Sequence, residues 1–223
     1  MKLPILLTFP FIIFGCKTQL MADVNVSDLN NTNLQTSAAS LLVEVASCNS
    51  YEDSRNPSSS VIEAQKTVPQ LIDGAEYQEC FTQKMDSYVM FSIPIQIGKF
   101  KSEDDFKTKG MKIYSYDGDD AVLGIRIPKS IRDNLEKHNK QDFQTNKIQL
   151  ESAIIVVNLL NDTKNKVKFN VFKAFIDGKP MSFVPLELPP SGRTQITLSN
   201  IDAATLFYPN DHGGQGFVNV LFK

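Results

Sequence analysis

Apolar and polar side chains alternate along many segments of this chain, and this alternation restricts its fold more than any other pattern in the sequence. In the clearest example every second residue is large and apolar: Val89, Phe91, Ile93, Ile95 and Ile97. Because successive side chains of a strand point to opposite faces of a sheet, a period of two predicts a strand with one buried face. Proline cannot donate a hydrogen bond to a neighbouring strand, so Pro94 predicts an edge or a bulge in this segment.

The same period, bounded by turn-forming residues, predicts further strands at 22–27, 41–45, 77–81, 111–116, 121–127, 148–160, 167–177, 183–188, 194–198 and 217–222. Three helices are also predicted, one of them a short helix over residues 102–109 that Gly110 ends. Ser60-x-x-Glu63 matches a capping box that opens a helix, and Pro69 kinks or ends this helix. The third helix begins at Pro128 and runs to about residue 140, with Ile131 and Leu135 as its apolar stripe.

These elements predict an α+β fold that is mainly β and has two halves. Residues 22–140 form an N-terminal α+β half. Residues 147–223 form an antiparallel β domain, whose short strands and regular turns suggest a sandwich. Fifteen Phe and six Tyr, together with many Val and Ile, also favour strands. The sequence leaves open whether the two halves share one core.

The N-terminus predicts export and lipid attachment. Lys2 gives a basic start, and an apolar run over residues 3–14 leads to Gly15 and Cys16. Residues 1–15 match a secretory signal peptide, since a helix over the apolar run would span only about 18 Å of a bilayer core of roughly 30 Å. Residues 13–16, Ile-Phe-Gly-Cys, resemble the lipobox of bacterial lipoproteins, whose cysteine is acylated and becomes the new N-terminus. A plain signal peptide followed by an incidental cysteine is the alternative.

An acylated Cys16 would tie the mature chain to a membrane through a short tether, residues 16–21. Each buried methylene adds about 0.8 kcal/mol and several acyl chains act together, so we expect firm attachment. In enterobacteria-like lipoproteins, a residue other than aspartate after the cysteine implies sorting to the outer membrane, and this chain has Lys17 there. We therefore expect a lipid-anchored outer-membrane protein whose domain faces the periplasm.

Cys48 and Cys80 are the remaining cysteines. Because cysteines pair in an oxidising compartment such as the periplasm, we expect a disulfide between them. Closing a loop of about thirty residues would stabilise the fold by roughly 3–4 kcal/mol. Two unpaired buried thiols are the alternative.

Candidate catalytic and metal-binding groups are few. Asp117, Asp119 and Asp120 offer carboxylates to a calcium ion, but a solvated Asp-Gly turn explains them equally well. His212 lies before two glycines, as a general base beside an oxyanion loop would, yet no Gly-x-Ser-x-Gly elbow supplies a nucleophile. His138 is expected to be solvated near the end of the third helix. We therefore predict a protein that is not an enzyme and has no metal site and no cofactor.

Charge argues against a nucleic-acid partner. The net charge is −2 and both signs are interspersed, so the sequence has no basic patch for a phosphate backbone. Phe169, Phe172, Phe175 and Phe183 fall in predicted strands, where packing in the core is the simplest role. The expected partners are the membrane, through the lipid anchor, and another protein of the cell envelope.

Several segments together resemble a known family. They are residues 22–29, the helix between Cys48 and Cys80, the turn Lys84-Met85-Asp86-Ser87-Tyr88 and the stretch Phe-Ile-Asp-Gly-Lys-Pro at 175–180. In these features the chain resembles a family of uncharacterised lipoproteins of enteric and related bacteria and their prophages. The resemblance implies no functional residues. Its prophage setting implies a lipoprotein that alters the envelope of the lysogen.

Two functions follow as hypotheses. The first is a non-enzymatic envelope protein that binds or modifies another envelope protein, with exposed strand edges as the binding surface. The alternative is a small-ligand or metal-binding protein of the envelope, or an enzyme with an unrecognised site. It predicts a pocket that joins Asp117, Asp119, Asp120 and His212. The anchor and the lack of a catalytic motif favour the first.

Overall fold

The computed structural model describes residues 17–100, 110–116, 121–141, 150–207 and 215–222. The strands are β1 (Thr18–Asn25), β2 (Gln35–Val45), β3 (Glu76–Gln83), β4 (Asp86–Phe100), β5 (Met111–Tyr116), β6 (Ala121–Arg126), β7 (Ile154–Leu160), β8 (Val167–Ile176), β9 (Lys179–Leu188), β10 (Arg193–Leu198) and β11 (Gln215–Phe222). The helices are α1 (Val26–Leu29), α2 (Ser59–Leu71), α3 (Lys129–Gln141) and α4 (Asn200–Thr205), and Leu150–Ser152 forms a 3-10 turn. The predicted α+β, mainly β class is confirmed.

The eleven strands form one mixed sheet, in the order β11-β6-β5-β4-β2-β1-β7-β10-β8-β9, with β3 paired to β4 beside this path. Two pairs are parallel, β1 with β7 and β4 with β5, and the others are antiparallel. The β1–β7 pair joins the strands of the two predicted halves. The sheet is curled, since β11 at one end of the strand order contacts β8 near the other end.

Side chains from both predicted halves form one hydrophobic core. The five alternating residues of β4 are each at most 2% exposed, as the sequence predicts. They share the core with Leu41 of β2, with Ile155 and Val157 of β7 and with Phe169 of β8. The question of a common core is therefore answered, while the division into domains 22–140 and 147–223 stays a prediction.

Pro94 lies neither at the edge of the sheet nor in a bulge, so that prediction is wrong. On one side β4 pairs with β2 without a register shift, and Pro94 lies opposite Ala38. On the other side β4 pairs with β3 as far as Ser92 and with β5 from Ile95 onward. Pro94 therefore occupies the gap where β4 changes its neighbour, a place in which a residue without a backbone N–H is tolerated.

The start of α2 also differs from the prediction. Its N-cap is Ser58, whose Oγ accepts a hydrogen bond from the N–H of Val61 at 3.3 Å, so Ser60 is not the cap. Pro69 lies in the last turn and the helix ends at Leu71. The apolar face of α2 packs on the core through Val61, Ala64, Val68 and Leu71. The stripe predicted for α3, Ile131 and Leu135, is buried.

The first strand begins earlier than predicted. β1 starts at Thr18 and pairs from there with β2, so residues 18–21 belong to the sheet and not to a tether. Thr18 and Leu20 are buried. The helix predicted over residues 102–109 lies outside the described residues, and helices α1 and α4 were not predicted. Both are short, and neither has the repeated apolar spacing that identifies a longer helix.

Candidate functional site

The strand β3 has an open edge. Among the strands that the structure describes, β3 pairs with β4 alone, so its other edge has no strand neighbour. Six of its eight residues are exposed, and it contains no proline. An edge of this kind presents unpaired backbone N–H and C=O groups to a further strand.

The edge strand β9 is different. It also lies at an end of the strand order, where it pairs with β8. However, it carries Pro180 and Pro185, which have no N–H to donate. Prolines on an edge strand hinder the addition of another strand. Of these two edges, β3 is therefore the better template for strand addition.

The predicted disulfide is present and holds β3 in place. Cys48, which follows β2, is bonded to Cys80 of β3, with their Cα atoms 5.5 Å apart. Both cysteines are half-buried, and Cys80 packs against the core. The segment after β2 is fixed further by Ser58, whose hydroxyl donates to the carbonyl of Ser47. The bridge therefore attaches β3 to the segment that follows β2. This segment does not pair with β4, so the bridge is a second, independent attachment of β3.

The side chains of β3 give the edge an acidic and aromatic character. Tyr77 packs edge-on against Phe91 with ring centroids 6.1 Å apart, and Phe81 lies 6.0 Å from Tyr88. Glu76 and Glu79 are exposed. Main-chain groups and two carboxylates thus face solvent along one strand, which suits a partner strand with basic side chains.

A cleft of about 510 Å³ lies where β4 passes from β3 to β5. Its floor includes Pro94 and Gln96, and its walls are the end of α2 and the start of α3. The Asn134 side chain ties the two helices together, because its Nδ2 donates to the carbonyls of Gln70 and Leu71 at 3.3 and 3.4 Å. Asp73 and Ser130 add polar groups to the rim.

A buried polar cluster was missed by the sequence reasoning. Lys112 lies opposite Arg126, and Tyr114 is two residues further along β5, so all three share one face. Lys112 is 1% and Tyr114 2% exposed, and Lys112 Nζ donates to the carbonyl of Gly110 at 3.2 Å. The alternation of side chains along a strand predicts that these three residues share one face of the sheet. It cannot show that other parts of the protein cover this face.

Burial controls the ionisation of this cluster. Desolvation, followed by the nearby charge of Arg126, lowers the pKa of Lys112 to about 8. Desolvation raises the pKa of Tyr114 to about 12, and Arg126 opposes this shift. A lysine with such a pKa is a base near neutral pH, but its side chain is enclosed by protein. This enclosed position indicates that the cluster contributes to the packing of the sheet.

The structure describes few of the other groups that the sequence suggested. Cys16, Asp117, Asp119, Asp120 and His212 lie outside the described residues. His138 is half-buried on α3. In the ranges that the structure covers, no three His, Cys, Asp or Glu side chains are grouped as metal ligands would be. No described helix combines the length and apolar character needed to cross a bilayer.

The fold and the open edge define a mainly β protein with a curled sheet and a disulfide-held edge strand. Residues 18–213 match the model of a family described as a domain of unknown function, DUF7424, and the chain belongs to this family. The match confirms the part of the prediction that placed the chain in an uncharacterised family. Comparison with curated proteins and with solved structures gave no match.

Proposed function

We propose that the protein is a bacterial lipoprotein that binds another protein of the cell envelope by strand addition to β3. In this proposal Cys16 carries the acyl chains and the domain faces the periplasm from the outer membrane. The protein is not an enzyme, and its origin is bacterial or prophage. The observation that carries the proposal is the open edge of β3, which is free of proline and held by the Cys48–Cys80 bridge.

Strand addition suits a rigid, exposed edge. Main-chain hydrogen bonds supply affinity, and the pockets beside alternate side chains supply specificity. The disulfide and the β4 pairing order the edge before binding, so little further conformational entropy is lost on association. Glu76 and Glu79 favour a partner strand with basic residues. As part of the proposal, the C-terminal strands form a sandwich-like half, which the contact of β11 with β8 supports.

The lipid anchor supports a partner in the same membrane. A domain held within a few nanometres of the bilayer meets membrane proteins at a raised effective concentration. An outer-membrane protein, such as a surface receptor, is therefore the kind of partner that we propose. Binding to it would change its accessibility, which agrees with the role that the prophage resemblance implies.

The test is photo-crosslinking in the native host. A benzoyl-phenylalanine is placed at Gln78, an exposed residue of β3, and in a control variant at Phe183, which is 52% exposed on β9. We expect one outer-membrane protein to be captured from Gln78 and not from Phe183. The capture should be lost in Cys16→Ala, which cannot be acylated. Equal capture from both positions, or none from Gln78, would contradict strand addition at β3.

The cleft between α2 and α3 gives the second candidate, a small-ligand protein of the envelope. A volume of about 510 Å³ is within the range of small-molecule sites. Ser130→Trp would fill this cleft without touching β3. If binding at β3 is the function, crosslinking from Gln78 persists in this variant. Loss of the crosslink with a folded protein would favour the cleft.

A further inference from the structure

The chain enters the fold at one end of the sheet. β1 and β7 are parallel and both start there, with Gln19 opposite Ile154. β2 ends there, since Val43 lies opposite Thr18. The turn between β3 and β4 and the end of β10, which leads into α4, lie at the same end. We call this part of the molecule the anchor end and define it by Lys17, Lys84, Met85, Ile154 and Ile201.

Lys17 is fixed to the sheet. Its backbone N–H donates to Glu44 Oε2 at 2.8 Å, and its carbonyl accepts from the N–H of Glu44 at 2.9 Å. Its ammonium group lies 3.5 Å from Asp86 Oδ2. Because β1 begins at the next residue, no flexible segment separates position 16 from the sheet.

Large apolar side chains are exposed at the anchor end. Met85 is 95% exposed at the β3–β4 turn, Ile201 is 77% exposed on α4, and Ile154 is 41% exposed at the start of β7. Between Met85 and Ile201 lie β4, β2, β1, β7 and β10, and four strand spacings of about 4.8 Å give a width of about 19 Å. Lys84 adds an exposed cation, whereas the exposed ammonium group of Lys17 is paired with Asp86.

We propose that the anchor end rests on the lipid surface of the membrane to which Cys16 is attached, with Met85 and Ile201 in the headgroup region. This inference rests on the lipid anchor of the proposed function. Consecutive Cα atoms are about 3.8 Å apart, so an acylated Cys16 holds the bilayer surface within a few ångströms of Lys17. That distance admits lipid headgroups but not another protein domain. The ammonium group of Lys84 suits a lipid phosphate.

The contact would set the orientation of the whole domain. The strands would run away from the membrane, and β3 would stand with its open edge facing sideways. From Asp86 at the anchor end, the cleft beside Ile95 lies about 30 Å along β4, at about 3.3 Å per residue. The β3 edge would therefore face neighbouring membrane proteins, while the cleft would open well above the surface.

The absence of tryptophan from the chain makes a direct test possible. Three single variants each introduce one tryptophan at an exposed position: Met85→Trp, Ile201→Trp and Asn33→Trp. Asn33 precedes β2 at the opposite end of the sheet and serves as the control. Each acylated full-length protein is purified from bacterial membranes and placed in phosphatidylethanolamine–phosphatidylglycerol vesicles that contain doxyl-labelled lipid. Tryptophan quenching and co-flotation are measured together.

We expect Met85→Trp and Ile201→Trp to lose about half of their fluorescence to the doxyl lipid, and Asn33→Trp to lose almost none. Co-flotation without this difference would overturn the inference and leave the lipid anchor intact. Failure of all three variants to float with the vesicles would overturn the anchor and, with it, the inference.

Discussion

Gly124 of β6 lies directly opposite Tyr114 of β5, and the ring of Tyr114 occupies the space that a side chain at position 124 would need. A Cβ on Gly124 would lie 2.3 Å from Cζ of Tyr114. Phe100 holds the ring from another side, with centroids 4.9 Å apart. The β5–β6 hairpin therefore tolerates only glycine at this position while the tyrosine keeps its place.

Gly124→Ala should lower the free energy of unfolding by about 1–3 kcal/mol, the usual range for an overpacked site. Urea unfolding of the variant and the wild type measures this change. Tyr114→Leu provides the control background, because a shorter side chain leaves room for the new methyl group. A loss of the same size in both backgrounds would show that the clash with Tyr114 is not its cause.

Thr18 of β1 carries a buried hydroxyl without a hydrogen-bond partner among the described residues. A buried hydroxyl without a partner costs free energy, and valine has the same shape without the hydroxyl. Thr18→Val should therefore raise the free energy of unfolding by about 1 kcal/mol, as measured by urea unfolding.

Thr67 of α2 is a matched control for this substitution. It is 4% exposed, and its hydroxyl donates to Glu63 Oε1 at 3.1 Å. Thr67→Val removes a made hydrogen bond and should destabilise by about 1 kcal/mol. If the two substitutions changed stability in the same direction, the missing partner of Thr18 would not explain the effect.

Strand positions were predictable here because burial alternates within a strand, whereas strand neighbours were not. Ala22 and Val24 show which face of β1 is buried. Nothing in their spacing shows that β1 pairs with β7, more than a hundred residues away. A period of two fixes the face of a strand but leaves its partner open. The open edge of β3, and hence the candidate site, follows from the strand order and could not be predicted.

Pro94 shows the same limit in a single residue. Its lack of an N–H correctly implies an interruption in strand pairing, but an edge, a bulge and a change of neighbour all satisfy that condition. The structure has the third, because β3 ends its pairing at Ser92 and β5 begins at Ile95. Local chemistry identifies the interruption, and only the tertiary arrangement decides its form.

Two serines at the start of α2, Ser58 and Ser60, have different roles. Ser58 caps the helix and also donates to Ser47, whereas Ser60 lies inside the first turn. Ser58→Ala should destabilise by about 1–2 kcal/mol, because it removes the cap and a second hydrogen bond. Ser60→Ala keeps the cap and removes only the contact between the Ser60 and Ser58 hydroxyls, at 2.9 Å, so it should cost about 0.5 kcal/mol. Thermal unfolding compares them, and equal losses would contradict the assignment of the cap.

The buried Lys112 should make stability depend on pH. Its pKa falls from 10.5 to about 8 on folding, so between these values the unfolded chain binds more protons than the folded one. Stability therefore rises with pH in this window and is insensitive to Lys112 below it. From pH 7 to 9.5, the wild type should gain about 2 kcal/mol relative to Lys112→Met. Urea unfolding of both proteins at both pH values measures this change. The contributions of the other titrating groups are common to the two proteins and cancel when their stabilities are subtracted. A difference that stays constant with pH would contradict the lowered pKa.

The Cys48–Cys80 bridge should matter most for β3, because β3 pairs only with β4 among the strands that the structure describes. Replacing both cysteines by alanine should lower the free energy of unfolding by about 3–4 kcal/mol, as expected for a closed loop with a separation of 32 residues. In hydrogen exchange, the amides of β3 should lose more protection than those of β1, which has neighbours on both sides.

The reductant dithiothreitol provides the control, since it should destabilise the wild type and leave the double variant unchanged. Crosslinking from Gln78 should fall in the double variant, because a mobile edge must be ordered before it can accept a strand. Undiminished crosslinking together with reduced β3 protection would mean that the partner orders this strand itself. Equal loss of protection in β1 and β3 would instead show that the bridge stabilises the whole sheet and has no special role at the edge.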